Sequence, residues 1–147
     1  MIGIDEIKRA LPQREPFLFL DSVSAIDGTG LTASYTFTPQ SPVFQGHFPG
    51  NPVVPGVLMI EAMAQAGAYW LLSKPQYAGK NALLYSVNNA RFKRMARPGD
   101  RLEIHIRAKE AKKIFEFCDA EIRIGGKIAV SCELGCIMVD DETKSNQ

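Results

Sequence analysis

The chain predicts an α+β fold in which an antiparallel sheet packs on one long helix. Three observations carry this. Residues 57–72, VLMIEAMAQAGAYWLL, are apolar nearly all round, which marks a buried helix rather than one with a wet face. Three later segments alternate apolar and polar residues with the period of strands. A strand pair precedes the helix and a run of strands follows it, with no internal repeat and no linker between them.

The elements follow in order. IDEIKRAL, residues 4–11, reads as a short helix stopped by Pro12. FLFLDSVSAI (17–26) and LTASYTFT (31–38) flank Asp27-Gly28 and read as a hairpin. A loop rich in proline and glycine comes next, then the apolar helix, closed by SKPQYAGKN (73–81). Its Ala62, Ala64, Ala66, Gly67 and Ala68 are small enough to let a sheet wrap close to the helix axis. ALLYSVNNARF (82–92) is a strand. RLEIHIRA (101–108) places Leu102, Ile104 and Ile106 on one face. CDAEIRI (118–124) places Cys118, Ala120, Ile122 and Ile124 together. After Gly125-Gly126, KIAVSCELGCIM (127–138) aligns Ile128, Val130, Cys132, Leu134, Cys136 and Met138. The polar end, about 140–147, reads as a flexible tail.

A length of 147 residues, with 46% apolar and 22% charged residues, fits one domain, 1–147. The opening MIGIDEIKRALPQ is not a signal peptide, and no apolar run is long enough for a membrane span, so the expectation is a cytoplasmic protein with no membrane role. The net charge of +1 excludes nothing by itself, but no aromatic and basic surface suited to nucleic acid is present. The three cysteines have no zinc or redox spacing and read as buried thiols, so no metal site is expected.

The chemistry concentrates in GHFPGNPVVPG, residues 46–56, which holds three glycines, three prolines and one of the two histidines, His47. The prolines stiffen the loop, which suits it to carry a base. His105 lies on the polar face of a strand and is assigned no role. In the helix, Glu61 and Gln65 are four residues apart and share a face. Burial raises a carboxyl pKa, so Glu61 suits proton donation, with Gln65 orienting it. The alternative is a structural acid paired with a backbone group or an arginine. Pro55 suits the first turn, which leaves the N–H groups of Gly56 and Val57 free for a developing oxyanion. Base, acid and oxyanion site together suit proton abstraction beside a carbonyl. Neither a phosphate-binding loop nor a nucleophile elbow is present.

GHFPGNPVVPGVLMIEAMAQAGA closely resembles the signature of the 3-hydroxyacyl-(acyl-carrier-protein) dehydratases of the FabZ type, which have the hotdog fold. LPQREPFLFLDSV resembles that family's LPHRYPFLLVDRV, and NARFKRMARPGDRL resembles its ARFRRPVVPGD. The FabA-like branch has Asp where this chain has Glu61. The resemblance implies dimers, often joined as trimers of dimers, with active sites at the dimer interface, where His47 of one chain faces Glu61 of the other. It implies a 3-hydroxyacyl group carried on the phosphopantetheine of an acyl carrier protein, with no further cofactor. His47 and Glu61 are then catalytic, and Gly56, Val57 and Gln65 contact or orient the substrate. The basic residues Arg91, Lys93, Arg94 and Arg97, near Arg101, become a dock for the acidic carrier. Two departures stand out. Gln13 and Glu15 replace His and Tyr of the first motif, and Ser86-Val87-Asn88 replaces Gly-Ile-Asp. They bear on the shape of the apolar acyl tunnel that the resemblance implies between helix and sheet, on oligomer contacts or on carrier choice, and leave room for a specialised pathway such as polyene synthesis. The rival readings are a hotdog thioesterase and a non-catalytic acyl-binding module.

Overall fold

The computed structural model describes residues 1–141. They form α1 (Ile4–Ala10), β1 (Ser22–Asp27), β2 (Gly30–Thr36), α2 (Gly56–Leu72), β3 (Lys80–Phe92), β4 (Arg101–Lys112), β5 (Phe115–Ile124) and β6 (Lys127–Asp140), with 3-10 turns at Pro42–Gln45 and Pro75–Tyr77. The strands make one antiparallel sheet in the order β1-β2-β4-β5-β6-β3. The sheet with one long helix against it is the α+β arrangement that the sequence predicts.

The strand order explains the helix. The chain leaves the sheet at β2 and re-enters at the far edge, at β3. Four strand spacings separate them, about 19 Å. A 17-residue helix spans about 25 Å, enough to make that crossing along the sheet's inner face. Its middle and end are buried from Ala62 to Leu71. The small residues do what the sequence suggests: Ala62 and Ala66 are fully buried beneath the sheet. The indole N–H of Trp70 donates to Asp27 O at 2.8 Å and ties the helix end to the β1–β2 turn. That turn is closed by Asp27, whose carboxylate accepts from the N–H groups of Thr29 and Gly30 and from the Thr29 hydroxyl.

The alternating strands present their apolar faces inward. Leu102, Ile104, Ile106, Cys118, Ala120, Ile122, Val130, Cys132, Leu134, Cys136 and Met138 are all buried. Ile128 is only half-buried, because Ile122 pairs with Val130 while Arg123 pairs with Ile128. The residue left over in this bulge, Ala129, turns inward instead.

Four expectations are corrected. Residues 17–21 lie outside the named strands, with a bend at Phe17, and β1 begins only at Ser22. Their backbone bonds go elsewhere, including Phe19 N–H to a side chain and Asp21 N–H to Ser34 O. β4 and β5 reach beyond the sequence reading, β4 to Lys112 through residues exposed on both faces and β5 back to Phe115 through half-buried Phe115 and Phe117 and buried Glu116. The helix is not covered all round, since Val57 in its first turn is 74% exposed. Pro55 caps α2 rather than occupying its first turn. Of the tail, Asp140 still belongs to β6, and residues 142–147 lie outside the described residues.

Three outcomes are expected of this core. A Cβ at Gly30 meets the Ile106 carbonyl oxygen at 1.9 Å, and both belong to backbone paired in the ladder. Gly30→Ala should therefore destabilise by about 3 kcal/mol or more, read from urea unfolding. The cysteines are held neutral: burial pushes the Cys118 thiol up to about 12 and those of Cys132 and Cys136 to about 11. Iodoacetamide at pH 8 should leave all three unmodified in the folded protein and label all three in urea, as read by intact mass. Because the folded thiols ionise later than unfolded ones, their contribution is complete below pH 9. It is lost as pH rises towards 11–12, which unfolding at pH 8, 9 and 10 will show.

Candidate active site

The loop before α2 is a built structure. Its first support is the Pro42–Gln45 turn, where buried Phe44 packs edge-on against Phe37 and Val43 O accepts from His47 N–H at 3.2 Å. The next is a tight turn at 48–51, closed by Asn51 N–H to Phe48 O at 2.9 Å. Pro49 and Gly50 fill its centre, and Gly50 has φ 74°. Proline first and a positive-φ glycine second is the combination a type II turn requires. The loop also carries a cis His47–Phe48 peptide.

His47 is gripped from both sides by one residue. Its Nδ1 lies 2.8 Å from Val53 O, and its carbonyl accepts from Val53 N–H at 3.1 Å. A carbonyl oxygen can only accept, so Nδ1 carries the hydrogen and the neutral ring keeps its lone pair on Nε2. The ring is half-buried. This is the tautomer and placement that a general base needs.

Glu61 stands in the second turn of α2, half-buried in the single protomer. Gln65 Nε2 donates to Glu61 Oε2 at 2.8 Å, as the four-residue spacing suggests. The same nitrogen donates to Phe17 O at 2.9 Å, and Gln65 Oε1 accepts from Phe19 N–H at 2.7 Å. Gln65 is 1% exposed, so its amide is fixed and Glu61 has a fixed partner. Among the described residues no cation pairs with Glu61, so an ion pair does not account for this carboxyl.

Pro55 O accepts from the N–H groups of Leu58 and Met59. Among the described residues no protein acceptor takes the N–H of Gly56 or Val57, which are the first two helical donors. Above Gly56 lies the ring of Phe92, whose Cε1 would stand 2.7 Å from any Cβ placed there. The glycine therefore lets an aromatic ring cover the helix start, a contact the sequence reading missed. It joins positions 36 apart on a helix and a strand, and no local spacing signals it.

Arg91, Lys93, Arg94, Arg97 and Arg101 are all exposed. Arg97 differs from the rest because its guanidinium reaches the loop, at Asn51 and Pro52. His105 sits across the sheet on its outer face, beside Glu103 and Thr32. Among the described residues no group of His, Cys, Asp and Glu side chains is arranged to hold a metal ion, and no helix is long and apolar enough to cross a membrane.

Comparison with known proteins adds three kinds of finding. A model of the FabA-like domain matches residues 11–133. A 3-hydroxyacyl-(acyl-carrier-protein) dehydratase FabZ from Clostridium perfringens is 42% identical over 134 residues, covering 91% of this chain and 96% of that one. The protein of the same name from Chloroflexus aggregans is 39% identical over 145 residues, 98% of this chain and 100% of its own. Among solved structures, a dehydratase heterocomplex from Xenorhabdus doucetiae superposes with a TM-score of 0.78 at 22% identity, over 96% of this chain and 95% of that one. A mutant thioesterase from Pseudomonas aeruginosa superposes with a TM-score of 0.64 at 19% identity, over 80% of each chain. At those identities the two structures speak to the hotdog fold alone.

Proposed function

Since this chain belongs to the FabA-like family, we propose that it removes water from 3-hydroxyacyl thioesters carried on an acyl carrier protein, giving trans-2-enoyl thioesters in fatty-acid biosynthesis. It is a hydro-lyase. One observation carries the reading beyond resemblance. In a chain that matches dehydratases nearly end to end, the Nδ1–H of His47 is held by a carbonyl, which leaves Nε2 as the nitrogen that can exchange a proton, while Glu61 is oriented by a buried amide.

The proposed steps use this chain's own groups. The thioester oxygen accepts hydrogen bonds from the N–H groups of Gly56 and Val57, where the helix dipole favours negative charge. His47 Nε2 takes the C2 proton. Glu61, in its protonated form and held by Gln65, gives a proton to the C3 hydroxyl, which leaves as water. The electrons of the C2–H bond become the C2–C3 double bond. A proton passed from His47 to Glu61 resets the site. No other cofactor enters these steps; the phosphopantetheine arm belongs to the substrate.

The active unit in this reading is a homodimer in the cytoplasm, with His47 and Glu61 contributed by different copies, and trimers of such dimers as a further level. The free edge of the sheet supports it. β3 is a 13-residue edge strand with Leu83, Leu84, Tyr85, Val87 and Phe92 exposed, and a long apolar edge is unstable unless paired. Cover by a second copy also withdraws Glu61 further from water. Arg91, Lys93 and Arg94 are the exposed cations available to an acidic carrier. Arg97, grouped with them by sequence, is already engaged by the loop.

The test is turnover of a 3-hydroxyacyl thioester, following enoyl absorbance and free thiol together. Reversible gain of enoyl absorbance without thiol release is expected; thiol release would instead make the chain a thioesterase, and binding without turnover an acyl-binding module. His47→Ala and Glu61→Gln should each lose about 100-fold or more in kcat, since general acid–base groups contribute about 10²–10⁴-fold. Both should keep the oligomeric state seen by gel filtration. Mixing the two variants should restore part of the activity once subunits exchange. No recovery after verified exchange would place both residues in one chain.

A further inference from the structure

Arg97 does more than carry surface charge. One guanidinium nitrogen, Nη1, donates to Asn51 Oδ1 at 3.3 Å and to Pro52 O at 3.4 Å. The turn that bears it is itself anchored: Arg97 N–H donates to Asp100 Oδ2 at 2.8 Å, and Gly99 N–H donates to Phe37 O at 2.9 Å, at the end of β2. One residue earlier, fully buried Ala96 accepts from Val54 N–H at 2.8 Å. Residues 51–54 are therefore tied to residues 96–97 on both sides of Val53. Val53 is the residue whose carbonyl holds His47 Nδ1.

The loop needs outside donors. Gly46, Phe48, Pro49, Gly50 and Asn51 are exposed, so burial does little to fix them. Pro49, Pro52 and Pro55 have no N–H to give. A charged donor bound to the Pro52 carbonyl acts on the peptide that leads directly into Val53. We propose that Arg97 is a positioning residue for His47, holding Asn51 and Pro52 so that Val53 O stays aimed at Nδ1 and Nε2 faces the substrate. The inference rests on His47 being the base, and it separates Arg97 from the neighbouring cations as a residue of chemistry rather than of docking.

The experiment compares the protein with its Arg97→Ala variant on two substrates bearing the same acyl group, one on the carrier protein and one on a short pantetheine thioester. Arg97 is exposed, so the variant folds. A loosened base should lower kcat about tenfold on both substrates, with KM within about twofold. Asn51→Ala, which removes no charge, should show a smaller loss of the same kind. Nitrogen-15 NMR of the two histidines should show His47 moving from one Nδ1–H tautomer to a mixture, with His105 unchanged. A loss confined to KM for the carrier-linked substrate would make Arg97 a docking residue and overturn the proposal. Unmoved His47 signals would overturn it as well, whatever happens to kcat. A wild-type protein inactive on both substrates would defeat the dehydratase reading, and the His47 spectrum alone would then decide the role of Arg97.

Discussion

The Gln65 amide satisfies backbone groups that no ladder reaches and, with its remaining hydrogen, orients the site carboxyl. Phe19 N–H belongs to a stretch whose Leu18, Phe19 and Leu20 are buried, so leaving it unpaired costs about 1–3 kcal/mol, and Phe17 C=O, at the stretch's exposed end, is taken by the same amide. Gln65 meets both from the middle of α2. Its second Nε2 hydrogen goes to Glu61. Because the same planar amide serves segment and acid, the position of the 17–19 strap and the orientation of the carboxyl are one property. Movement of α2 relative to the strap would lose backbone bonds before it could turn Glu61.

How much of this is legible in the sequence depends on where each group's partners lie. α2 and the hairpins announce themselves because burial imposes a period on nearby residues, as at Leu102, Ile104 and Ile106. The end of β4 does not, because Ala108 to Lys112 are exposed and nothing selects one face over the other, and the start of β5 does not, because its inward position 116 holds a glutamate, bonded by the Tyr77 hydroxyl. Residues 17–21 resemble a strand in composition, but their partners include a glutamine 46 positions away. In the site, His47 and Glu61 are marked by residue type and surroundings, and the Glu61–Gln65 bond by helical spacing. Phe92 over Gly56 and Arg97 on Pro52 join distant segments and leave no local trace. Whether His47 and Glu61 meet across two copies follows from neither spacing nor one protomer.

Gln13 and Ser86, both at departures from the family motifs, share a physical signature. Among the described residues, the two buried side-chain polar atoms without a hydrogen-bond partner are Gln13 Oε1 and Ser86 Oγ. Ser86 belongs to the edge strand β3, beside Gly135 and the Phe117 ring. Its hydroxyl occupies the space that a Cβ on Gly135 would fill, at 2.3 Å from that point. Position 86 thus restricts what position 135 can be.

The reciprocal grip between His47 and Val53 has a consequence for how a proton travels. Val53 O accepts from Nδ1–H whether or not Nε2 holds a second proton. Charging the ring strengthens that bond without requiring a different one. Neither the loop backbone nor its side chains must rearrange as the ring alternates between neutral and charged, so the reorganisation energy of each transfer stays small. An imidazole mounted this way can take up a proton and give it back without moving its support, so one fixed geometry serves both halves of a proton relay.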